Sequence, residues 1–378
     1  MLGIGIMILI LGGYILFQGG ARIIEGWQIK LQKSLAETTV NKFLPGLYYA
    51  CFGNEKEEHN WLEEQVEALF PFGGYWNENY MEETETEDKL TYEMILAMQA
   101  KDEERQSEDL EDVQQTVQTE IVRTDISMEK LRDFDYLLSK FYTVDSTTMI
   151  YEEELNVDKL LAKDMHIETS TESPKVLIFH THSQETFADS AEGDTSTSIV
   201  GIGRYLAEQL NAKGISTLHH DGVYDLVDGK LDRSKAYELS EIGVREILNQ
   251  NPSIEVVIDL HRDGVREDLH LVTEVDGKQT AKIMFFNGLS RTKTNGDITY
   301  LENPYKEDNL SFSLQMQLAA ESMYPGLARK IYLKGYRYSL HMMPKSLLIE
   351  AGAQTNTVAE MKNAMNLLAN ILYEVLME

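Results

Sequence analysis

The chain has 378 residues, a formal net charge of −29 and a single cysteine, Cys51. One cysteine excludes a disulfide framework and a multi-cysteine metal site, and this negative charge argues against a partner that is nucleic acid. The charge is uneven, because residues 55–159 contain 30 acidic and 9 basic residues. The length and this asymmetry predict a folded domain joined to a different kind of chain.

The first predicted element is an apolar segment at the N-terminus. Residues 1–21 contain no Asp, Glu, Lys or Arg, and residues 2–17 are almost uniformly apolar. About 20 mostly apolar residues suffice for a helix to cross a bilayer. We therefore predict a single-pass transmembrane anchor over residues 1–24. A cleaved signal peptide and a buried core helix are the alternatives, but the basic start and small-residue cleavage site of a signal peptide are not clear.

An acidic region follows over residues 25–120. It includes a short amphipathic helix pattern around residues 61–70, and residues 77–118 are dominated by Glu, Asp, Thr and Gln. Such a composition buries too little apolar surface to offset the entropy of ordering the chain. We expect a partly disordered linker that extends by charge repulsion and holds the domain at residues 121–378 away from the membrane.

From about Pro174 the sequence alternates predicted strands and helices, so we take residues 174–378 as the core of the domain. Apolar runs predict strands at residues 175–179, 215–218, 254–260 and 347–350, and a hairpin within 269–286 that turns at Asp276-Gly277. Helical periodicity and capping signals predict helices at residues 199–210, 234–250, 309–323 and 357–376. This alternation predicts an α/β fold with a largely parallel central sheet flanked by helices.

Polar side chains follow three of these strands. They are His180, His182 and Glu185 after the first, His261 and Arg262 after the third, and Glu350 at the end of the last. Ligands bind at the carboxyl ends of the strands in sheets of this kind. Two histidines and a carboxylate form a standard catalytic zinc set, and a further carboxylate can transfer the proton. We therefore predict a Zn2+ site at this edge, with His180 as an alternative ligand or as a hydrogen-bonding support, and Arg262 in a supporting role.

The motifs of this region resemble the stage II sporulation protein P family. The matching segments are FYTVDSTTMIYEEELNVDKLLAKDM, KVLIFHTHSQETF, VVIDLHRDGV and MYPGLARKIYLKGYRYSLHMMPKSLLIEAGAQTNT, in the family's order from about Leu137 to the C-terminus. Residues 339–343 are more apolar than is usual in the family, and residues 27–118 match no family that we can name.

The resemblance implies a zinc-dependent N-acetylmuramoyl-L-alanine amidase, which also cuts peptide cross-links. It implies that His182 and His261 bind zinc and that Glu350 is catalytic. The wider amidase family takes its third ligand from a helix that has no obvious Glu here, so Glu185 is our choice. The resemblance also implies a peptidoglycan substrate, a lytic transglycosylase like stage II sporulation protein D as partner, and an extracytoplasmic position between the membranes during engulfment. The alternative function is a non-catalytic amidase-fold scaffold that recruits a partner lytic enzyme.

Overall fold

The computed structural model describes residues 123–169 and 173–378. The predicted membrane anchor and the acidic linker therefore lie outside the described residues. Within the two described ranges, no helix combines the length and the apolar character needed to span a membrane.

A seven-stranded sheet forms the centre of the fold. Its strands are β1 (Tyr142–Val144), β2 (Val176–Phe179), β3 (Thr217–His219), β4 (Val256–Asp263), β5 (Ile283–Gly288), β6 (Ile331–Lys334) and β7 (Ser346–Ala353). They lie in the order β1-β6-β5-β7-β4-β2-β3. Every neighbouring pair is parallel except β5 and β7, which are antiparallel. The carboxyl edge of β2, β4 and β7 is therefore also the amino edge of β5 and β6.

Seven α-helices connect and cover these strands in the described part of the chain. They are α1 (Met128–Leu131), α2 (Phe134–Phe141), α3 (Val157–Leu161), α4 (Ile199–Ala212), α5 (Ala236–Gln250), α6 (Lys306–Met323) and α7 (Val358–Met377). The capping box predicted for the last helix is present, because Thr357 accepts from the Glu360 backbone while Glu360 accepts from the Thr357 backbone. The mixed α/β fold with a mostly parallel sheet is thus confirmed.

The predicted hairpin over residues 269–286 is partly wrong. The hairpin consists of Val272–Val275 and Lys278–Ala281, and its turn residues Asp276 and Gly277 have φ values of 51° and 75°. The rest of the apolar run is β5, which joins the central sheet beside β7. The second hairpin strand and β5 follow each other directly in the sequence, with no turn signal between them. Only the pairing of β5 with the distant strand β7 shows that β5 belongs to the central sheet.

The two faces of the sheet are covered differently. On one face, Ile258, Phe285 and Ile349 belong to the main apolar core, together with buried side chains from α4, α6 and α7. We call this the three-helix face. The opposite, one-helix face is covered by α5 and by the loop between β6 and β7, which contribute to two smaller apolar clusters. Because strand side chains alternate, Asp259, His261 and Glu350 lie on the one-helix face.

Residues 128–165 pack against the same sheet. Strand β1 adds to its edge by pairing with β6. Leu137, Phe141, Leu155 and Leu160 are buried in the main core. The segment that precedes the alternating strands and helices therefore contributes directly to the apolar core.

Candidate active site

The candidate site lies near the carboxyl ends of β2, β4 and β7, on the one-helix face. His261 and Glu350 were predicted after and at the end of their strands, but both strands continue past them, to Asp263 and Ala353. Glu350 on β7 stands opposite His261 on β4 in a parallel pairing. His182 follows β2, the other neighbour of β4, and its ring centroid lies 5.2 Å from that of His261, with the rings nearly perpendicular at 87°. The exposed fractions of His182, His261 and Glu350 are 1%, 2% and 6%. The structure thus brings three of the predicted site residues together at one sheltered edge.

A buried carboxylate fixes the orientation of His261. Asp259 Oδ1 lies 2.7 Å from His261 Nε2 and accepts from the Thr181 backbone N–H at 2.9 Å. Asp259 Oδ2 accepts from the hydroxyls of Thr181 and Ser339, both at 2.7 Å. Burial alone would raise the pKa of the Asp259 carboxyl, but the charge of His261 and these hydrogen bonds hold it well below its usual range. Asp259 is therefore an ionised, fully satisfied anchor for the imidazole.

His261 lies among three carboxylates. Burial lowers the pKa of its imidazole, but Asp259, and with smaller effects Glu185 and Glu350, raise it more, so that the net shift is upward. These surroundings favour the protonated ring. The same negative surroundings also stabilise any cation that replaces the proton.

Glu185 is held in the loop after β2. Its Oε2 accepts from the Arg262 backbone N–H at 2.8 Å, and its Oε1 lies 3.6 Å from Nη2 of Arg233. The Glu185 backbone carbonyl also accepts from the N–H of Ile199, the first residue of α4. Sequence reasoning missed Arg233, since no strand or motif near it in the chain points to the site.

His180 uses both ring nitrogens away from His182. Its Nδ1 lies 2.7 Å from the carbonyl oxygen of Leu260, and its Nε2 lies 3.0 Å from Nε2 of His219. Burial lowers the pKa of His180 to about 3 and that of His219 to about 4, so both rings are neutral. His180 therefore donates from Nδ1 to Leu260 and accepts at Nε2 from His219. A Cβ at Gly203 of α4 would lie 2.4 Å from His180 Nε2, so a glycine leaves room for the pair.

The contacts of Arg262 join two loops. Its Nε donates to the Thr186 carbonyl at 2.9 Å, and its Nη1 donates to the Asp263 carbonyl at 3.1 Å. Together with the bond from its backbone N–H to Glu185, these contacts fasten the loop after β2 to the end of β4. Arg262 thus has contacts that suit the supporting role predicted for it.

An aromatic row extends from the histidines across the one-helix face. Tyr237 of α5 has its ring 5.6 Å from that of His182 and 5.5 Å from that of Tyr338. Tyr338 in turn contacts Phe286 of β5 edge-on at 4.7 Å. The sequence offered no signal for this row, because its members come from three separate elements. Through Tyr237 the row reaches His182 of the candidate site.

The side chains at the site have the donor chemistry of a zinc site, although they are not grouped as ligands. Among residues 123–169 and 173–378, no three His, Cys, Asp or Glu side chains are grouped closely enough to hold a metal ion. The residues at the site nevertheless supply two imidazoles and two carboxylates, which is the donor chemistry of catalytic zinc. The Asp259–His261 contact is also the carboxylate–histidine arrangement that orients zinc-binding histidines. The residues present therefore fit zinc by their chemistry.

Comparison with known proteins identifies the family. The family model described as Stage II sporulation protein P matches residues 56–373. The prediction that residues 27–118 match no family is therefore wrong for residues 56–118, and the match begins well before the motifs that start near Leu137. A curated relative, Stage II sporulation protein P of Bacillus subtilis (strain 168), is 25% identical over 228 residues. That match covers 56% of this chain and 54% of the relative, so the chain aligns with about half of that protein's length.

Two solved structures illustrate the structural neighbours. N-acetylmuramoyl-L-alanine amidase AmiC2 of Nostoc punctiforme is 16% identical, with a TM-score of 0.32, and the match covers 54% of this chain and 97% of that chain. The CwlD amidase from Clostridioides difficile, solved in complex with the GerS lipoprotein, is 16% identical, with a TM-score of 0.34 and coverages of 53% and 96%.

Because the family model matches most of the chain, the chain belongs to the stage II sporulation protein P family.

Proposed function

We propose that this member of the stage II sporulation protein P family is a zinc-dependent N-acetylmuramoyl-L-alanine amidase that remodels peptidoglycan at the septum and during engulfment. The observation that carries the proposal is the meeting of His182, His261 and Glu350 at one edge of the sheet. The names of the structural neighbours and of the curated relative agree with the proposal.

His182, His261 and Glu185 would hold the zinc ion. When bound, zinc supplies Lewis-acid polarisation of the amide carbonyl and a lowered pKa for the attacking water. The protein's part is to orient the donors and to surround His261 with carboxylates that stabilise the cation displacing its proton. Asp259 orients the His261 ring, while the Arg262 backbone N–H holds one oxygen of Glu185.

Glu350 would move the proton. It lies within β7, beside His261 on β4 and opposite Met284 on β5, and its side chain is sheltered from solvent. A carboxylate placed there can take a proton from the attacking water and return it to the leaving amine of the stem peptide. Its shelter on the one-helix face also limits competition from bulk solvent.

The remaining parts of the chain would place this activity in the cell. Residues 1–24 would anchor the protein in the cytoplasmic membrane, and the acidic segment at 25–120 would separate the anchor from the catalytic domain at 121–378. The domain would then act outside the cytoplasmic membrane, in the space between the membranes during engulfment. A lytic transglycosylase of the stage II sporulation protein D type would be its partner, and cross-link cleavage would be a second activity.

Mass analysis of the products from purified peptidoglycan tests the proposal. An amidase releases stem peptides with a free N-terminal alanine and leaves muramic acid without a peptide. New termini within the cross-links alone would instead identify an endopeptidase. Absence of both products, with stimulation of an added lytic transglycosylase, would identify a scaffold.

A further inference from the structure

Two basic side chains lie just beyond the candidate catalytic residues, at the same edge of the sheet. Lys282 precedes β5, and its carbonyl accepts from the backbone N–H of Gly352 on β7. Because side chains alternate along an extended chain, Lys282 lies on the same face as Met284, the residue opposite Glu350. Arg329 precedes β6, and its backbone N–H donates to the Ile283 carbonyl. Both cations thus enter from the strands that run opposite to β7.

Asp263 pairs with one of these two cations. Arg329 Nη1 lies 2.6 Å from Oδ2 of Asp263, at the end of β4, and the side chains are 12% and 0% exposed. Across the described residues, Lys282 has no ion pair, and burial together with the charge of Arg329 lowers its pKa. Asp263 Oδ1 is buried and makes no hydrogen bond. The cluster therefore has one unused cation and one unused buried acceptor.

These unused groups suit a peptide. A carboxylate would neutralise Lys282 by a charge-assisted hydrogen bond, and an N–H group would satisfy Asp263 Oδ1. An unsatisfied buried acceptor costs free energy, so a ligand that supplies the donor gains from it. Water can hydrate Lys282, but it cannot neutralise the net positive charge that Lys282 and Arg329 leave beside the single carboxylate of Asp263.

The spacing along the strand also matches a peptide. Lys282 is two residues from Met284, which corresponds to about 7 Å of strand. The γ-linked glutamate of a peptidoglycan stem is the residue after the alanine whose amide is cut, and its α-carboxylate is free. Two residues of extended peptide likewise span about 7 Å.

We propose that Lys282 and Asp263 form a subsite for the stem peptide, in which Lys282 binds the free α-carboxylate of the γ-linked glutamate and Asp263 accepts a peptide N–H. Arg329 holds Asp263 in place. This subsite rests on the proposed amidase function, since Glu350 provides the reference point for the spacing.

Binding of two peptides to the full chain tests the subsite. The probes are the released stem tripeptide, alanyl-γ-glutamyl-diaminopimelate, and the same tripeptide with its glutamate α-carboxylate converted to the amide. Neither contains the bond that the proposed activity cuts, so affinity is measured by calorimetry without turnover. The variants are Lys282→Gln and the control Lys278→Gln, whose side chain lies exposed on the neighbouring hairpin.

We expect the wild-type chain and Lys278→Gln to bind the free carboxylate about tenfold more tightly than the amide, as for a charged hydrogen bond. In Lys282→Gln that preference should fall to about twofold or less. Equal binding of the two peptides by the wild-type chain, or an unchanged preference in Lys282→Gln, would overturn the subsite.

Amide cleavage in the same preparations separates the two proposals. If the chain cleaves the amide but binds the two peptides equally, the subsite alone is overturned. Discrimination that depends on Lys282, without cleavage, would support the anionic-peptide subsite while overturning the amidase activity.

Discussion

The two faces of the central sheet divide stability from chemistry. On the three-helix face, Ile258, Phe285 and Ile349 are apolar, fully buried and packed against helices. On the one-helix face, β4 and β7 carry Asp259, His261 and Glu350, which are also buried but polar. Adjacent residues of one strand therefore serve opposite purposes.

This difference follows from the covering elements. Three long helices bury apolar side chains over one face, which stabilises the fold without needing hydrogen bonds. On the other face, α5 and the β6–β7 loop supply specific partners, such as Ser339 for Asp259. Burying a carboxylate costs free energy unless donors surround it, and here four donors do. The one-helix face thus gives up apolar burial to hold charged groups at the edge.

The largest expected effect is on stability, at the three-helix face. Phe285 is fully buried in the main core, opposite Ile349. Phe285→Ala should lower the free energy of unfolding by about 3–5 kcal/mol, because it leaves a cavity. Denaturant unfolding of the full chain measures the loss, and the variant that remains folded should still cleave peptidoglycan. A loss below about 1 kcal/mol would show that this face is not the main source of stability.

The next effect is on rate, at the one-helix face. Glu350→Gln keeps the shape of the side chain but cannot take up a proton from water, so amide cleavage should fall at least about a hundredfold. Stability should change little. The control is Glu267→Gln, at an exposed position without a side-chain partner among the described residues. Cleavage by Glu350→Gln at close to the wild-type rate would mean that Glu350 has a structural role.

A smaller effect is expected from Ser339, which donates to Asp259 across the face. Ser339→Ala removes one donor from the carboxylate that orients His261, and zinc affinity should fall about tenfold. Competition with a chelator measures the affinity. Ser339→Thr retains the hydroxyl and should restore most of it. If Ser339→Thr binds zinc as weakly as Ser339→Ala, packing and not the hydrogen bond explains the loss of affinity.

The smallest effect concerns the cap of α7, on the three-helix side. Burial would raise the pKa of Glu360, but the Thr357 backbone N–H, His270 and Asn356 lower it below 4.5. Because the folded pKa is depressed, the ionised cap stabilises the protein above about pH 4.5, and the contribution is lost as pH falls through the folded value. Glu360→Gln should therefore cost about 1 kcal/mol at neutral pH, and the difference from wild type should shrink in acid.

The control for the cap is Glu374→Gln, at an exposed position later in the same helix. Its stability should follow that of the wild-type chain from neutral to acid pH. If the difference in unfolding free energy between Glu360→Gln and the wild-type chain does not change with pH, the effect of the substitution comes from the shape of the side chain and not from its charge.

The sequence predicted the elements with strong local patterns. The apolar runs of β2, β4 and β7, the periodicity of α4 and α5, and the Thr357–Glu360 capping box all appear in the structure. Since parallel strands end at one edge, the polar residues after those runs could be placed together. The short β6 was missed, because IYLK has only four residues between polar segments.

Partners distant in sequence could not be predicted. His219 meets His180 from a neighbouring strand, Ser339 reaches Asp259 from a loop, and Arg233 approaches Glu185 from the segment before α5. Local pattern carries no information on such contacts. The unusual apolar character of residues 339–343 is explained by packing, since Leu340 and Met342 are buried in the clusters of the one-helix face.

Zinc content tests the central claim most directly, namely that the edge of the one-helix face is a metal centre. We expect about one zinc ion per chain in the wild-type protein, as for a single catalytic site. His182→Ala and His261→Ala should lose it while keeping the fold, because the three-helix face supplies most of the core. Glu185→Ala should also lose zinc if Glu185 is the third ligand. Full zinc occupancy in both histidine variants would contradict the account.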